Sequence, residues 1–189
     1  MRVVVAYVDL RPETRAALEA DGVAAAYEFT GQDQTSYHEL LSGMWRAGQG
    51  FIIVEQDIVV WPGAIAQLEA CPEPLCGFAY ELSTGWDAWL GCTKFSDELV
   101  EKVPGAFHAI AALPPDGTPP RYWGRLDTRL MQVLETNGYR KHVHWPAVRH
   151  LHDAQQFKGA FHCPHGYAIP REVLMSQPWP YPCPQECGA

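Results

Sequence analysis

Val3 to Val8 is an unbroken apolar run, mostly β-branched, that ends at Asp9. Apolar residues on both faces, rather than in alternation, predict a strand inside a parallel sheet covered on each side by helices. Pro12 stands where a proline opens a helix at no cost in hydrogen bonds, and ETRAALEADG continues that helix to Gly22. Val23 to Phe29 is the second predicted strand. After the polar loop TGQDQTS comes a helix from Tyr37 to Ala47, with Tyr37, Leu40, Leu41, Met44 and Trp45 at helical spacing and Gly48 and Gly50 as its stop. Phe51 to Val54 is a third buried strand. It runs into Glu55-Gln56-Asp57, a second apolar run from Ile58 to Trp61, and a helix from Pro62 to Ala70. This β-α-β-α-β-α order predicts an α/β fold: one domain, Rossmann-like, three layers deep, with a central mostly parallel sheet. Ligands of such sheets gather outside the carboxyl ends of the strands, where Asp9 and Glu55-Gln56-Asp57 fall.

The pattern is less regular beyond residue 70. Leu75 to Glu81 and Trp89 to Thr93 read as strands, and Ser96 to Lys102 as a short helix. Pro114 to Pro120 has neither period and is expected to be a mobile loop near a ligand. Leu126 to Gly138 is helical again, with Leu126, Leu130, Val133 and Leu134 on one face, and His142 to His152 alternates like a strand. The expected division is a core over residues 1–152 and an irregular tail, rich in Pro and Cys, over 153–189 packed on it.

Composition agrees with a folded globular chain: 47% hydrophobic and 19% charged residues. The net charge of −8 argues against indiscriminate binding of nucleic acid. From Arg121 to His152, however, six Lys/Arg face only Asp127 and Glu135, which predicts a local basic face. No apolar run approaches the ~18 residues of a membrane span, and the N-terminus lacks a signal-peptide pattern, so a cytoplasmic protein is expected. In that compartment the six cysteines read as reduced core residues or metal ligands rather than as disulfides.

Residues i and i+2 of an extended segment point the same way, so Glu55 and Asp57 can face one point. Two carboxylates there repel unless one protonates or a cation sits between them. Mg2+ or Mn2+, sharing its oxygens with a diphosphate, would answer that repulsion. The plainer alternative is that Glu55 caps a turn and Asp57 faces solvent. Neither GxGxxG nor a Walker A sequence is present, which speaks against dinucleotide oxidoreductases and P-loop kinases.

A buried strand ending in Glu-x-Asp, preceded by two β-α units and a helix running into Ala47-Gly48-Gln49-Gly50, resembles glycosyltransferases of the GT-A fold. The resemblance implies a nucleotide-sugar donor, UDP-sugars foremost, whose diphosphate is held by a metal on Asp57, with Glu55 at the metal's water or the ribose. Tyr7, Asp9 and Arg11 of YVDLRPET, and Asp33 in the next such loop, would hold base and ribose. It further implies that Asp127, in Trp123-Gly-Arg-Leu-Asp127, is the base of an inverting transfer, and that a late histidine, His152 before His150, returns to the metal. The bland readings are that Asp127 complements a helix dipole, that the histidines are structural, and that Arg121, Arg125 and Arg129 are a solvated face rather than a phosphate grip. The acceptor would be a hydroxyl. Compact phage members that act on hydroxymethylated pyrimidines make modified DNA a candidate, with Tyr122, Trp123 and Trp145 to stack on a base. Two rivals remain. One is a nucleotidyltransferase on the same sheet. The other is a zinc-stabilised interaction domain without catalysis, although His162-Cys163-Pro-His165 and Cys183 to Cys187 match no standard zinc spacing, so a structural zinc is not expected.

Overall fold

The computed structural model describes residues 1–31, 33–82, 85–113, 117–151, 161–162 and 168–169, with backbone only at 81–82, 85–87, 161–162 and 168–169. The first half follows the alternation: β1 (Arg2–Tyr7), α1 (Pro12–Ala20), β2 (Ala25–Phe29), α2 (Ser36–Arg46) and β3 (Phe51–Glu55). β1 lies parallel to both β2 and β3. The short strand β4 (Ile58–Val59) then leads to α3 (Ala64–Ala70), followed by β5 (Leu75–Phe78), the hairpin β6 (Tyr80–Leu82) and β7 (Gly85–Asp87), and β8 (Cys92–Phe95). Next come α4 (Asp97–Lys102), α5 (Ala106–Ile110), a single 3-10 turn at Trp123–Arg125 and α6 (Leu126–Thr136). The chain continues through β9 (His142–His144), β10 (Arg149–His150) and the pair β11 (Phe161–His162) and β12 (Ala168–Ile169).

The central sheet has six strands in the order β2-β1-β3-β8-β5-β9. Only β8 runs antiparallel to its neighbours. Because side chains alternate along a strand, β1 and β3 each send residues to two cores. Val4, Ala6, Phe51 and Ile53 pack with Leu41, Met44 and Trp45 of α2 and with α4, α5 and α6. Val3, Val5, Ile52 and Val54 pack on the other side with Leu18 of α1 and with Ala64, Ile65 and Leu68 of α3. These are the three layers that the uniformly apolar strands imply, and no helix among the described residues is long and apolar enough to cross a membrane.

Several elements differ from the sequence reading. The strand expected at Trp89 to Thr93 lies at Cys92–Phe95. Lys94, just beyond the expected strand, is buried, and its Nζ donates to the Cys71 carbonyl. The run Leu75 to Glu81 divides at Ala79: its N–H donates to the His144 carbonyl and its own carbonyl accepts from Val148, after which the chain leaves the sheet for the β6-β7 hairpin. His142 to His152 divides as well. Pro146 has no N–H for a ladder, so β9 stays with β5 while β10 pairs with β4, Arg149 opposite Val59 and His150 opposite Ile58. Pro114 to Asp116 and nearly all of the 153–189 tail, with its candidate zinc residues, lie outside the described residues. The other end of that loop is fixed, because the Arg129 guanidinium donates to the carbonyls of Thr118, Pro119 and Pro120 and to the Thr118 hydroxyl. Arg129 is buried and therefore belongs neither to a phosphate grip nor to a solvated face.

Candidate active site

Glu55 is the last residue of β3 and Asp57 lies in the turn before β4, at the carboxyl edge of the parallel strands. Both line a cavity of about 550 Å³ together with Tyr7, Thr30, Asp33, Gln56, Trp123 and His150. A second cavity of about 250 Å³ adjoins it, lined by Tyr80, Trp89, Leu90, Gly124 and Asp127. Tyr37, Glu55, Trp123 and His150 belong to both and form the wall between them. Trp123 is 55% exposed, a large apolar ring left at the mouth.

The three residues of the acidic turn point to different tasks. Gln56 Oε1 accepts from the N–H groups of Val8 (2.7 Å) and Asp9 (2.9 Å), and its carbonyl accepts from Arg11 N–H (3.1 Å). Gln56 thereby moulds the β1-α1 loop against the β3-β4 turn. Asp57 Oδ2 meets His150 Nε2 at 3.0 Å, and the Asp57 carbonyl accepts from Leu151 N–H at 2.8 Å. The His150 ring also packs perpendicular to the buried Tyr80 ring, 5.3 Å between centroids. Gly91 backs this arrangement: a side chain there would stand 2.7 Å from the Tyr80 ring, and its carbonyl accepts from Glu55 N–H at 2.8 Å.

Glu55 Oε1 accepts from the Tyr37 hydroxyl at 3.1 Å. Burial pushes its carboxyl up to about 7, and the Asp57 charge adds to the rise, while the Tyr37 bond and His150 work against it. Burial also raises Tyr37 well above the usual phenol, so the hydroxyl stays a donor. A carboxyl raised in the folded state binds a proton that the unfolded chain has already released, so this group costs stability as pH climbs from 4.5 toward 7 and beyond. Glu55 by itself is expected to make the chain roughly 3 kcal/mol less stable at pH 8 than at pH 4, with the loss falling between pH 4.5 and 7. Denaturant midpoints across this range check it: the alkaline decline should flatten in Glu55→Gln, and an equal decline in both proteins would remove Glu55 as its cause.

Asp127 stands in the first turn of α6. Its Oδ1 accepts from Thr128 N–H (2.6 Å) and the Thr128 hydroxyl (3.2 Å). Burial raises its carboxyl; Asp127 lines the smaller cavity, and its Oδ2 has no hydrogen bond among the described residues.

The remaining sequence candidates divide. Tyr7 and Asp33 line the large cavity, but Asp33 Oδ1 is committed to the N–H (2.7 Å) and hydroxyl (2.6 Å) of Thr35, which lowers its carboxyl and shapes the approach to α2. Asp9 and Arg11 are exposed, 3.8 Å apart, and neither lines the cavity. His152 lies outside the described residues. Asp57 and His150 form a pair of donors, and no third His, Cys, Asp or Glu among the described residues completes a compact cluster with them. Of the six cations between Arg121 and His152, two turn inward: Arg129, and Lys141, whose Nζ donates to the carbonyls of Ala88 and Trp89 and the Thr93 hydroxyl. The basic face is smaller than the sequence implied. Gln56 and Tyr37 were not among the candidates. Gln56 is uncharged between two acids, and Tyr37 sat in the helix pattern as an ordinary core position.

No protein-family model matches the chain, and no curated protein matches it in sequence. Its fold is similar to that of A197 from STIV. That crystal structure superposes with a TM-score of 0.55 at 13% identity, over 89% of this chain and 93% of A197. A glycosyltransferase involved in the glycosylation of the major capsid of PBCV-1 superposes at 0.48 with 13% identity, over 82% and 96%. A putative glucose-1-phosphate thymidylyltransferase from Bacillus anthracis, solved with sucrose, gives 0.40 with 9% identity, over 77% and 68%. The likeness to A197 is one of fold alone, and the two lower superpositions add nothing to it.

Proposed function

We propose that this chain is an inverting, metal-dependent glycosyltransferase that moves a sugar from a nucleoside diphosphate sugar to a hydroxyl acceptor. The observation that carries this reading is the pair of adjoining cavities at the carboxyl edge of β1 and β3, with Asp57 and His150 in the larger and Asp127 in the smaller. The larger has the size of a small-molecule site and suits the donor; the smaller suits the acceptor.

Asp127 Oδ2 takes the acceptor hydroxyl's proton as that oxygen attacks the anomeric carbon, and the nucleoside diphosphate departs on the opposite face. Trp123, on the shared wall, offers a ring face for a sugar or base to stack on. The carboxylate and imidazole of Asp57 and His150, 3.0 Å apart on the wall of the larger cavity, would hold a divalent Mg2+ or Mn2+. When bound, such an ion neutralises the diphosphate. Tyr37 and Gln56 hold the wall and the β1-α1 loop in register. Among hydroxyl acceptors, a hydroxymethylated pyrimidine in DNA is the one that the exposed arginines flanking Trp123, Arg121 and Arg125, would accompany.

Thermal shift against a panel of nucleotide sugars, with and without Mn2+, tests the reading, since a ligand that binds only the folded state raises its melting temperature. The expected result is stabilisation by at least one nucleotide sugar that needs the metal. If none stabilises the protein in the presence of Mn2+, the assignment fails.

A further inference from the structure

Away from both cavities, three soft donors meet between α3 and the outer edge of the sheet. Cys71 caps the C-terminus of α3, Cys76 lies on β5, and His144 closes β9 opposite Phe78. One ligand atom from each lies within 4.8 Å of the other two. We propose that Cys71, Cys76 and His144 form a binding site for a zinc-class ion, which fastens α3 and the edge strand β9 to β5.

Three observations carry this. First, His144 Nε2 is buried without a hydrogen-bond partner among the described residues, an unmet polar atom that a bound ion would satisfy. Second, its Nδ1 already has an outer partner, the Gln67 amide at 3.2 Å. The amide's oxygen and nitrogen are interchangeable by a flip. With the oxygen inward it accepts the Nδ1 proton, and the Nε2 lone pair is free for a metal, the support that ligating histidines usually have. Third, both cysteines are free thiols in a buried setting. Two sulfurs and one imidazole nitrogen select zinc over Mg2+ or Mn2+.

Ligand bonds of about 2.3 Å for sulfur and about 2.0 Å for nitrogen put neighbouring donors of a tetrahedral site roughly 3.5–4 Å apart, so a small contraction of the observed cluster suffices. Each thiol gives its proton to solvent as its sulfur–metal bond forms. A water molecule would take the fourth tetrahedral position. Two thiolates and a divalent ion are neutral together, which leaves the buried Lys94, on the Cys71 carbonyl, as the remaining charge there. β9 has only three residues and, among the described residues, a single neighbour in the sheet. It also leads into the segment that delivers His150, so an ion at His144 would fix the approach to the larger cavity.

The test uses the full chain, reduced, stripped with a chelator and loaded with Co2+ as the probe. Three proteins are compared: the unaltered chain, the double variant Cys71→Ser/His144→Gln, and the tail variant Cys163→Ser/Cys183→Ser/Cys187→Ser. The expected result is sulfur-to-cobalt charge-transfer absorption with tetrahedral d–d bands in the unaltered chain and the tail variant, and loss of both in the double variant. Absence of the bands, their loss in the tail variant or their survival in the double variant overturns the proposal. Should the double variant fail to fold, native alkylation of the tail variant decides instead: Zn2+ should slow modification of Cys71 at least tenfold, and an unchanged rate is the contrary result.

Discussion

Asp57→Ala is expected to lower sugar transfer by about a thousandfold while the protein remains folded. The size follows from removing one anionic ligand of the proposed ion, which would offset the leaving diphosphate; roughly 4 kcal/mol of transition-state charge stabilisation corresponds to three decades in rate. The fold should survive because what holds Asp57 in the structure is mainly backbone: its carbonyl accepts from Leu151 N–H, and alanine keeps that bond. The side chain itself is 26% exposed, and its partner among the described residues is His150. Turnover of a nucleotide sugar and the melting temperature, measured side by side, separate the two effects. Retained turnover with a retained melting temperature would remove Asp57 from the mechanism.

Asp127→Asn is the second large effect: kcat should fall by about 10²–10⁴-fold, the usual worth of a positioned general base, with the donor's KM little changed. Asparagine keeps an acceptor oxygen for Thr128 but cannot take a proton. Burial raises the Asp127 carboxyl, so on the proposed mechanism the unaltered protein should lose kcat as pH falls through that raised value, because the protonated acid is no base. The acid limb of the kcat–pH profile should therefore disappear in the variant. Glu55 provides the comparison. It lies on the wall between the cavities with its carboxyl near 7, so full activity in Asp127→Asn together with loss in Glu55→Gln would move the base to Glu55.

The carboxyl-edge acids were legible because their signal is local. An apolar strand that stops at a Glu-x-Asp has one exit from the sheet, and side-chain alternation decides which way its residues point. Gln56 was invisible for the same reason: its importance comes from two N–H groups of the β1-α1 loop, far off in sequence. Asp9 and Arg11 show the opposite failure. Strand ends predicted their neighbourhood, but the loop's own path, fixed by Gln56, turns them out to solvent.

By itself, the sequence determined the first five elements and their mostly parallel pairing, because uniformly apolar strands separated by amphipathic helices have only one way to cover both faces. It also determined that acids would stand at the carboxyl edge of β3. Only the tertiary structure decided that Lys94 and Arg129 are interior, since a buried cation depends on carbonyls such as those of Cys71 and Pro119 that no local pattern announces. It likewise decided that His150 reaches Asp57, through a β10-β4 pairing across ninety residues, and that Cys71, Cys76 and His144 meet at one point. Periodicity records what one segment buries; which distant segment supplies its partner depends on how the layers pack.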